Sequence, residues 1–348
     1  MFLQSIALQN FRNYSHSQFE FSPYLTIVIG PNARGKTNIL ESVFFILNGQ
    51  GFRESKEDEL ITFGETMAAV TGKFKLENDL LNLQIILRHT NSAVEKIFTI
   101  NKVKKKSGQY QQETTRSILF SPDQINIITG SPENRRSYFD RVISFYDIEY
   151  KKKLTNYEHG LRKRNKVLEY YRSEQTLKEE LNFWNTYLTD QSHYITFKRS
   201  LYIDFLNLNN TLNNKSFTIE YLRNEFTLQR LENVYESEKK YRRSLVGPQK
   251  DDFRIYNTNQ DNKQNVHHFG SRSEQRLAVF WLHMCEVKYC ELVLKKHPIL
   301  LLDDIFSELD TANKKLVVEI VKQYQTILTT TEEEIIELAD VDKSIIKL

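Results

Sequence analysis

The sequence predicts an α/β fold: a mixed sheet with helices, assembled from the two ends of the chain, with an inserted helical lobe and arm. Three observations carry this expectation. The apolar, β-branched run Leu25-Thr26-Ile27-Val28-Ile29 leads into a glycine-containing loop and then a helix. A second apolar run, Ile299-Leu300-Leu301-Leu302, ends near the other terminus at Asp303-Asp304. Between them the hydrophobic period is mainly helical. Eleven Gly and six Pro among 348 residues fall well under the roughly 12% of an average chain. Long regular elements follow, and collagen-like and low-complexity disordered classes are excluded.

The elements read in order as follows. Phe2–Leu8 alternates loosely, and Phe19 and Phe21 repeat at period two, as strands do. The run at 25–29 suits a strand buried on both faces. From Asn38, residues Ile39, Leu40, Val43, Phe44 and Leu47 keep helical spacing. Residues 66–120 read as an antiparallel sheet, with a basic hairpin turn at 101–108. From about 134 the pattern is helical. Leu154, Tyr157, Leu161, Leu168 and Tyr171 form one a/d-like seam, and Leu177, Leu181, Trp184 and Leu188 a second. Neither lasts long enough for an extended coiled coil, so a short antiparallel arm is expected. After Gly247-Pro248 and the Asn-rich stretch 256–265, a helix is expected from Ser271. Strands at 298–302 and 326–328 follow, with a helix from Asp310 between them. The boundaries drawn are 1–125 and 244–348 for the two parts of the head and 126–243 for the helical lobe.

The chain length suggests about two domains or one with a large insertion, and a net charge of +3 points to no partner. Cys285 and Cys290 are the only cysteines and lack metal-ligand spacing, which fits a reducing compartment. No leader-like segment and no run of about 18 apolar residues is seen. A cytoplasmic protein is expected.

Gly30-Pro31-Asn32-Ala33-Arg34-Gly35-Lys36-Thr37 matches GxxxxGK[ST] in the required strand–loop–helix context. Glycines let consecutive N–H groups curl around phosphate oxygens, and the helix N-terminus adds its dipole. Lys36 is placed to reach β- and γ-phosphates and the Thr37 hydroxyl to ligate Mg²⁺. At the acidic strand end, Asp303 is the expected metal-side acid and Asp304 the general base; a polar cap on an ordinary strand is the plainer alternative. Ser271-x-x-Glu274 opens an apolar helix and reads by itself as a capping box. Its place, about thirty residues before an acidic strand, is where ABC-type ATPases carry their signature. Ser307-Glu308-Leu309-Asp310 stands where they have a D-loop.

Together with Asn10-Phe11-Arg12-Asn13-Tyr14, Asn38, Phe120-Ser121-Pro122-Asp123, Gly130-Ser131-Pro132, Arg135-Arg136, Gly247-Pro248, Asp251-Asp252 and Thr329-Thr330-Thr331, these motifs resemble the RecF family. That family comprises bacterial recombination mediators, ABC-type ATPases related to the heads of SMC proteins. The resemblance implies a P-loop ABC-type ATPase head that uses ATP and Mg²⁺. Residues 30–37 would bind the phosphates, Asp303 and Asp304 would take the metal and catalytic positions, and Ser271 would cap the γ-phosphate held by a second subunit. It further implies an ATP-dependent homodimer, single- and double-stranded DNA as partner, other recombination mediator proteins as co-workers, and slow, DNA-stimulated hydrolysis. Two departures stand against full signature competence. Ser273 replaces the usual Gly, and Glu274 puts a negative charge where Gln is usual.

Lys102, Lys104, Lys105 and Lys106 form one basic patch. Lys151, Lys152, Lys153, Arg162, Lys163, Arg164 and Lys166 form another, against the single acid Glu158. Such clusters bind DNA backbone without reading sequence; a solvated helix face is the alternative. Two other functions stay open at this point. One is a non-catalytic ATP-binding DNA scaffold. The other is a transporter's nucleotide-binding subunit, from which the basic arm and the long stretch between Lys36 and Asp303 detract.

Overall fold

The computed structural model describes residues 1–348 apart from 54–55, 77–78, 91–92, 213, 260–261, 306–310 and 332–341. It begins with β1 (Phe2–Phe11), β2 (Tyr14–Glu20), β3 (Leu25–Ile29) and α1 (Lys36–Asn48). Then come β4 (Met67–Lys75), β5 (Leu80–His89), β6 (Val94–Ile100), β7 (Val103–Lys105), α2 (Ser107–Glu113) and β8 (Ser117–Phe120). Six of these strands form an antiparallel sheet in the order β2-β1-β4-β5-β6-β7. Asn101 and Lys102 both have positive φ, 50° and 69°, which is what a two-residue hairpin turn requires. The expectation of antiparallel structure through residue 120 is corrected at its end. Residues 107–113 are helical, and β8 pairs in parallel elsewhere.

α1 is buried along nearly its whole length. Phe45 packs on Phe11 and Phe44 on Phe52, with ring centroids 5.8 and 5.4 Å apart. Phe11, Phe44 and Phe45 are fully buried, and each such side chain contributes about 1.5–3 kcal/mol, so packing rather than propensity holds this helix. Its C-terminal end is fixed by Asn48, whose amide donates to the Ser117 carbonyl at 2.9 Å and accepts from the Ser117 N–H at 3.2 Å.

The middle of the chain contains α3 (Asn126–Thr129), α4 (Pro132–Tyr146), α5 (Ile148–Tyr170), α6 (Glu174–Leu208), β9 (Thr211–Leu212), β10 (Lys215–Leu222) and α7 (Leu228–Tyr241). It continues through β11 (Asp252–Asn259), β12 (Asn262–Asn265), α8 (Val266–Phe269) and α9 (Arg272–Leu294). α5 and α6 are an antiparallel pair. Lys153 meets Asp190, Arg164 meets Asn185, and Leu168 packs with Leu177 and Leu181, so the pairing runs backwards along α6. Four strands in the order β12-β11-β10-β9 complete this region, a sheet that the helical reading of the lobe did not contain.

The chain returns through β13 (Ile299–Asp303), α10 (Thr311–Val321), β14 (Thr326–Thr330) and β15 (Lys343–Lys347). Parallel and antiparallel strands thus sit in separate sheets, the parallel one having the order β15-β3-β14-β13-β8. β3, buried at all five positions, lies inside it.

Two compact units result: residues 1–124 with 283–348, and residues 125–282. The second junction lies well beyond the expected 243/244. The physical reason is β11, which pairs antiparallel with β10 from Phe217↔Asn257 to Leu222↔Asp252 and ties the segment after 244 to the inserted unit.

Candidate nucleotide-binding site

The loop after β3 turns on two left-handed residues, Ala33 at φ 64° and Gly35 at φ 103°. A Cβ on Gly35 would lie 2.6 Å from the Tyr14 hydroxyl oxygen and 2.9 Å from Asn13 Nδ2, so only glycine fits. Lys36 is buried and folds over the loop, where its Nζ donates to the carbonyls of Gly30 at 2.7 Å and Pro31 at 3.0 Å. The first turn of α1 carries no acidic residue, leaving its positive dipole end for an outside anion. The Tyr14 hydroxyl, buried against Gly35, has no hydrogen-bond partner among the described residues. Burial pushes its pKa up to about 12, so it is a neutral donor. An orphaned buried donor costs about 1–3 kcal/mol, which an oxygen-rich ligand in this loop would recover. The loop therefore fits a nucleotide's phosphates.

β13 and β14 bring the acidic strand end to this loop. Asp303 Oδ1 accepts from the Thr37 hydroxyl at 3.1 Å and from the Thr329 hydroxyl at 2.7 Å. Asp304 is left-handed at φ 49°, and its N–H donates to the Thr329 carbonyl at 3.2 Å and hydroxyl at 3.1 Å. Thr329 thus orients both acids, a role that the sequence reading missed although the threonines close the strand beside β13. Among the described residues no group of three His, Cys, Asp or Glu side chains is arranged to hold a metal. The Thr37–Asp303 pair fits a cation whose remaining ligands come from phosphate and water. Ser307 to Asp310, the expected D-loop, lie outside the described residues.

A second feature was missed. Glu41, with no exposed surface, holds two arginines: Arg12 through Nε at 2.7 Å and Nη2 at 2.9 Å, and Arg53 through Nη2 at 3.0 Å. Burial pushes the Glu41 carboxyl up, but the two guanidiniums outweigh it and hold the group below its ordinary value. A carboxylate inside the apolar run Asn38–Leu47 was the available signal, since such a residue is almost never buried unpaired. Asn38 links Asn13, at 2.7 Å, to Arg53. Arg12, Asn13, Asn38 and Arg53, with Phe63 and His89, line a cleft of about 790 Å³.

The remaining predicted residues lie in the inserted unit or on the hairpin. Ser271 is exposed at the start of α9, and the capping box forms: Glu274 N–H donates to Ser271 Oγ at 3.3 Å, and Ser271 N–H donates to Glu274 Oε2 at 3.0 Å. Glu274 also pairs with Lys215 at 2.9 Å, which together with the Ser271 bonds holds its carboxyl below the ordinary value. Lys104 and Lys106 are exposed, whereas Lys105 is tied to Glu113 at 2.7 Å. Lys152 and Arg162 are exposed and Lys153 pairs with Asp190. Arg164 corrects the expected DNA-binding set. It is 1% exposed and bound to Glu238 at 2.6 Å, Ser244 at 2.7 Å and Asn185 at 2.8 Å, because it occupies the α5 seam between Leu161 and Leu168. Among the described residues no helix is long and apolar enough to cross a membrane.

The family described as "RecF/RecN/SMC N terminal domain" matches residues 2–347. A "DNA replication and repair protein RecF" from Natranaerobius thermophilus is 31% identical, covering 96% of this chain and 92% of the relative. One from Clostridioides difficile is 29% identical, covering 95% and 92%. Among solved structures, "recombination mediator protein RecF-ATPrS in RecFOR pathway" superposes with a TM-score of 0.85 at 27% identity, covering all of this chain and 96% of that one. An SMC head bound to the winged-helix domain of ScpA, at 17% identity and TM-score 0.53, shares the fold, covering 98% of this chain and 92% of that one.

Proposed function

The chain belongs to the RecF/RecN/SMC N-terminal-domain family, and from that premise we propose that it is an ATP-dependent DNA-binding protein of replication and repair. In this reading it is cytoplasmic, and ATP clamps two copies on gapped or junction DNA until slow hydrolysis releases them. The observation that carries this reading is the meeting of Thr37 and Asp303 at 3.1 Å, across 266 residues of sequence, beside the lysine of the loop.

The chemistry follows from these side chains. Lys36 exchanges its carbonyl partners for β- and γ-phosphate oxygens, and the loop N–H groups cradle the rest. Tyr14 donates its orphan proton to the bound nucleotide. Arg12 and Arg53, held by Glu41, line a cleft together with Phe63, His89 and the acids Asp58, Glu59 and Glu65; in this reading it takes the ribose and base side. Thr37 and Asp303 are the residues that would hold Mg²⁺, which when bound neutralises phosphate charge. Asp304, fixed through its N–H by Thr329, is the proposed base for the attacking water. Ser271 is the group offered to the γ-phosphate of a second copy. Lys102, Lys104, Lys106, Lys152, Arg162, Lys163 and Lys166 supply backbone contacts to DNA. The RecF names and the RecFOR wording of the relatives support the repair setting and other mediator proteins as partners.

The test measures dimerisation and DNA binding with ATP and with ADP, for wild type and Lys36→Ala, alongside phosphate release. ATP-dependent dimers that bind DNA, lost in Lys36→Ala, are expected. DNA binding indifferent to nucleotide and to Lys36 overturns the clamp, and ATP binding with no phosphate release leaves the non-catalytic scaffold.

A further inference from the structure

α6 buries one face and leaves a second apolar face open. Leu181, Leu188, Ile195, Tyr202 and Leu206 belong to the buried face. About 130° round the helix runs a different row. Phe183, Tyr187, Tyr194, Phe197, Leu201 and Leu208, with Asp190 and Asp204 among them, recur at alternating steps of four and three residues. That is the spacing of a coiled-coil seam, kept over about 38 Å of helix. Yet Phe183 is 63%, Phe197 57%, Leu201 47% and Leu208 84% exposed. Tyr187 is half-buried against α5, where a Cβ on Gly160 would lie 3.0 Å from its Cε1. The row therefore stands on a closely packed helix pair, and an exposed apolar patch of this kind marks an interface.

Charge around the row says what covers it. The positions that flank a coiled-coil seam set partner choice through ion pairs. On one side of this seam they are Thr186, His193, Ser200 and Asn207. On the other the single charge is Lys198, already held by Asp147 at 2.7 Å. A strongly basic or acidic partner helix would find no counter-charges there, and Asp190 and Asp204 oppose the phosphates of DNA. A second copy of the same row does fit, in one orientation. A parallel pair would set Asp190 on the partner's Asp190 and Asp204 on the partner's Asp204, which repel. An antiparallel two-fold pair is reciprocal. Its register of greatest overlap sets Phe183 against the partner's Leu208, Tyr187 against the partner's Asp204, Asp190 against the partner's Leu201, and Tyr194 against the partner's Phe197. No acid then meets an acid, the Tyr187 hydroxyl faces a carboxylate, and Asp190 keeps its own Lys153 at 2.5 Å.

We propose that the exposed row of α6 is a second self-association surface, at which two copies pair antiparallel through residues 183–208 without nucleotide. This goes beyond the ATP clamp and uses none of the loop residues. The apolar side chains exposed on two such rows hold on the order of 1,000 Å², the low end of specific interfaces, so the pairing is weak, with a dimer constant of about micromolar.

Sedimentation equilibrium of the full chain, nucleotide-free and carrying Lys36→Ala, isolates this contact from the clamp. A concentration-dependent dimer is expected. Phe197→Glu should weaken it about a hundredfold or more and Asp190→Leu tighten it about tenfold, since two-fold symmetry counts each change twice. Melting temperatures check that the variants fold. Oxidative cross-linking reads the register, using Asp190→Cys and Leu201→Cys; the native Cys285 and Cys290 are buried. The two variants should join when mixed, and neither should join to itself. A chain that stays monomeric up to about 100 μM assigns the row to another protein's helix and overturns the inference. A dimer indifferent to Phe197→Glu, or cross-links within either variant alone, overturns it equally. Each of these results leaves the ATP clamp to stand or fall on its own test.

Discussion

Arg162 and Arg164 stand two residues apart on α5, and their variants should separate the proposed DNA contact from stability. Arg162 is exposed, while Arg164 is 1% exposed and spends its guanidinium on Asn185, Ser244 and Glu238. In Arg164→Ala the Glu238 carboxylate stays buried with only the Leu245 N–H, at 2.8 Å, of its two strong donors. Removing one partner of a buried ion pair costs about 3–5 kcal/mol. At about 2–4 °C per kcal/mol for a unit of this size, the melting temperature should fall by roughly 6–20 °C. Replacing both partners, as in Arg164→Met with Glu238→Met, should recover most of that, because no uncompensated charge remains. Arg162→Ala should instead leave stability within about 0.5 kcal/mol. It should weaken DNA binding and flatten the log affinity against log salt slope by about 0.7–0.9, the value for one phosphate contact. Melting curves and DNA titrations at several salt concentrations decide the matter. Arg164→Ala that melts within 2 °C of wild type, or that loses DNA affinity at unchanged stability, refutes the assignment.

Three further outcomes are expected. Gly35→Ala must adopt a left-handed φ with a Cβ 2.6 Å from the Tyr14 hydroxyl; strain of about 1–3 kcal/mol should lower affinity for a fluorescent ATP analogue about tenfold or more. Thr329→Val keeps the strand but removes the 2.7 Å donor to Asp303, so phosphate release should need more Mg²⁺ and slow by about fivefold, for a hydrogen bond of ~1 kcal/mol. Glu41 is held below its ordinary value in the folded state, so its contribution to stability is complete above the unfolded value of about 4.3 and is lost as pH falls through the lower folded value. Glu41→Gln should therefore flatten the acid limb of stability against pH below about pH 4.3, measured by urea midpoints from pH 7 to pH 3.

Much of the head was legible because its signals are local. The strand at 25–29, the loop and the apolar face of α1 are adjacent in sequence, and the loop has one sterically permitted residue at Gly35. What escaped depends on pairing at a distance. Thr329 means little until β13 and β14 lie side by side, and Glu41 was a lone acid until Arg12 and Arg53 met it. Arg164 was hidden differently. Its spacing from Tyr157, Leu161 and Leu168 puts it on the buried seam of α5, but the basic residues around it made a surface reading natural. The β11–β12 pairing was obscured by polar composition, since Asn257, Asn259, Asn262 and Asn265 are poor strand formers that nonetheless lie in antiparallel register.

The position of β3 bears on how the molecule comes into being. Its hydrogen-bonding neighbours, β14 and β15, are the last strands of the chain. Synthesis at about 5–20 residues per second separates these partners by roughly 15–60 s. Throughout that interval an all-apolar strand has emerged with neither ladder filled, while the inserted unit, contiguous in sequence, is free to fold first. The parallel sheet on which the loop is mounted is thus filled on both sides of β3 only after β14 and β15 have been made. Contacts of such long sequence separation form slowly, and an incomplete nascent chain exposes a strand edge that invites aggregation.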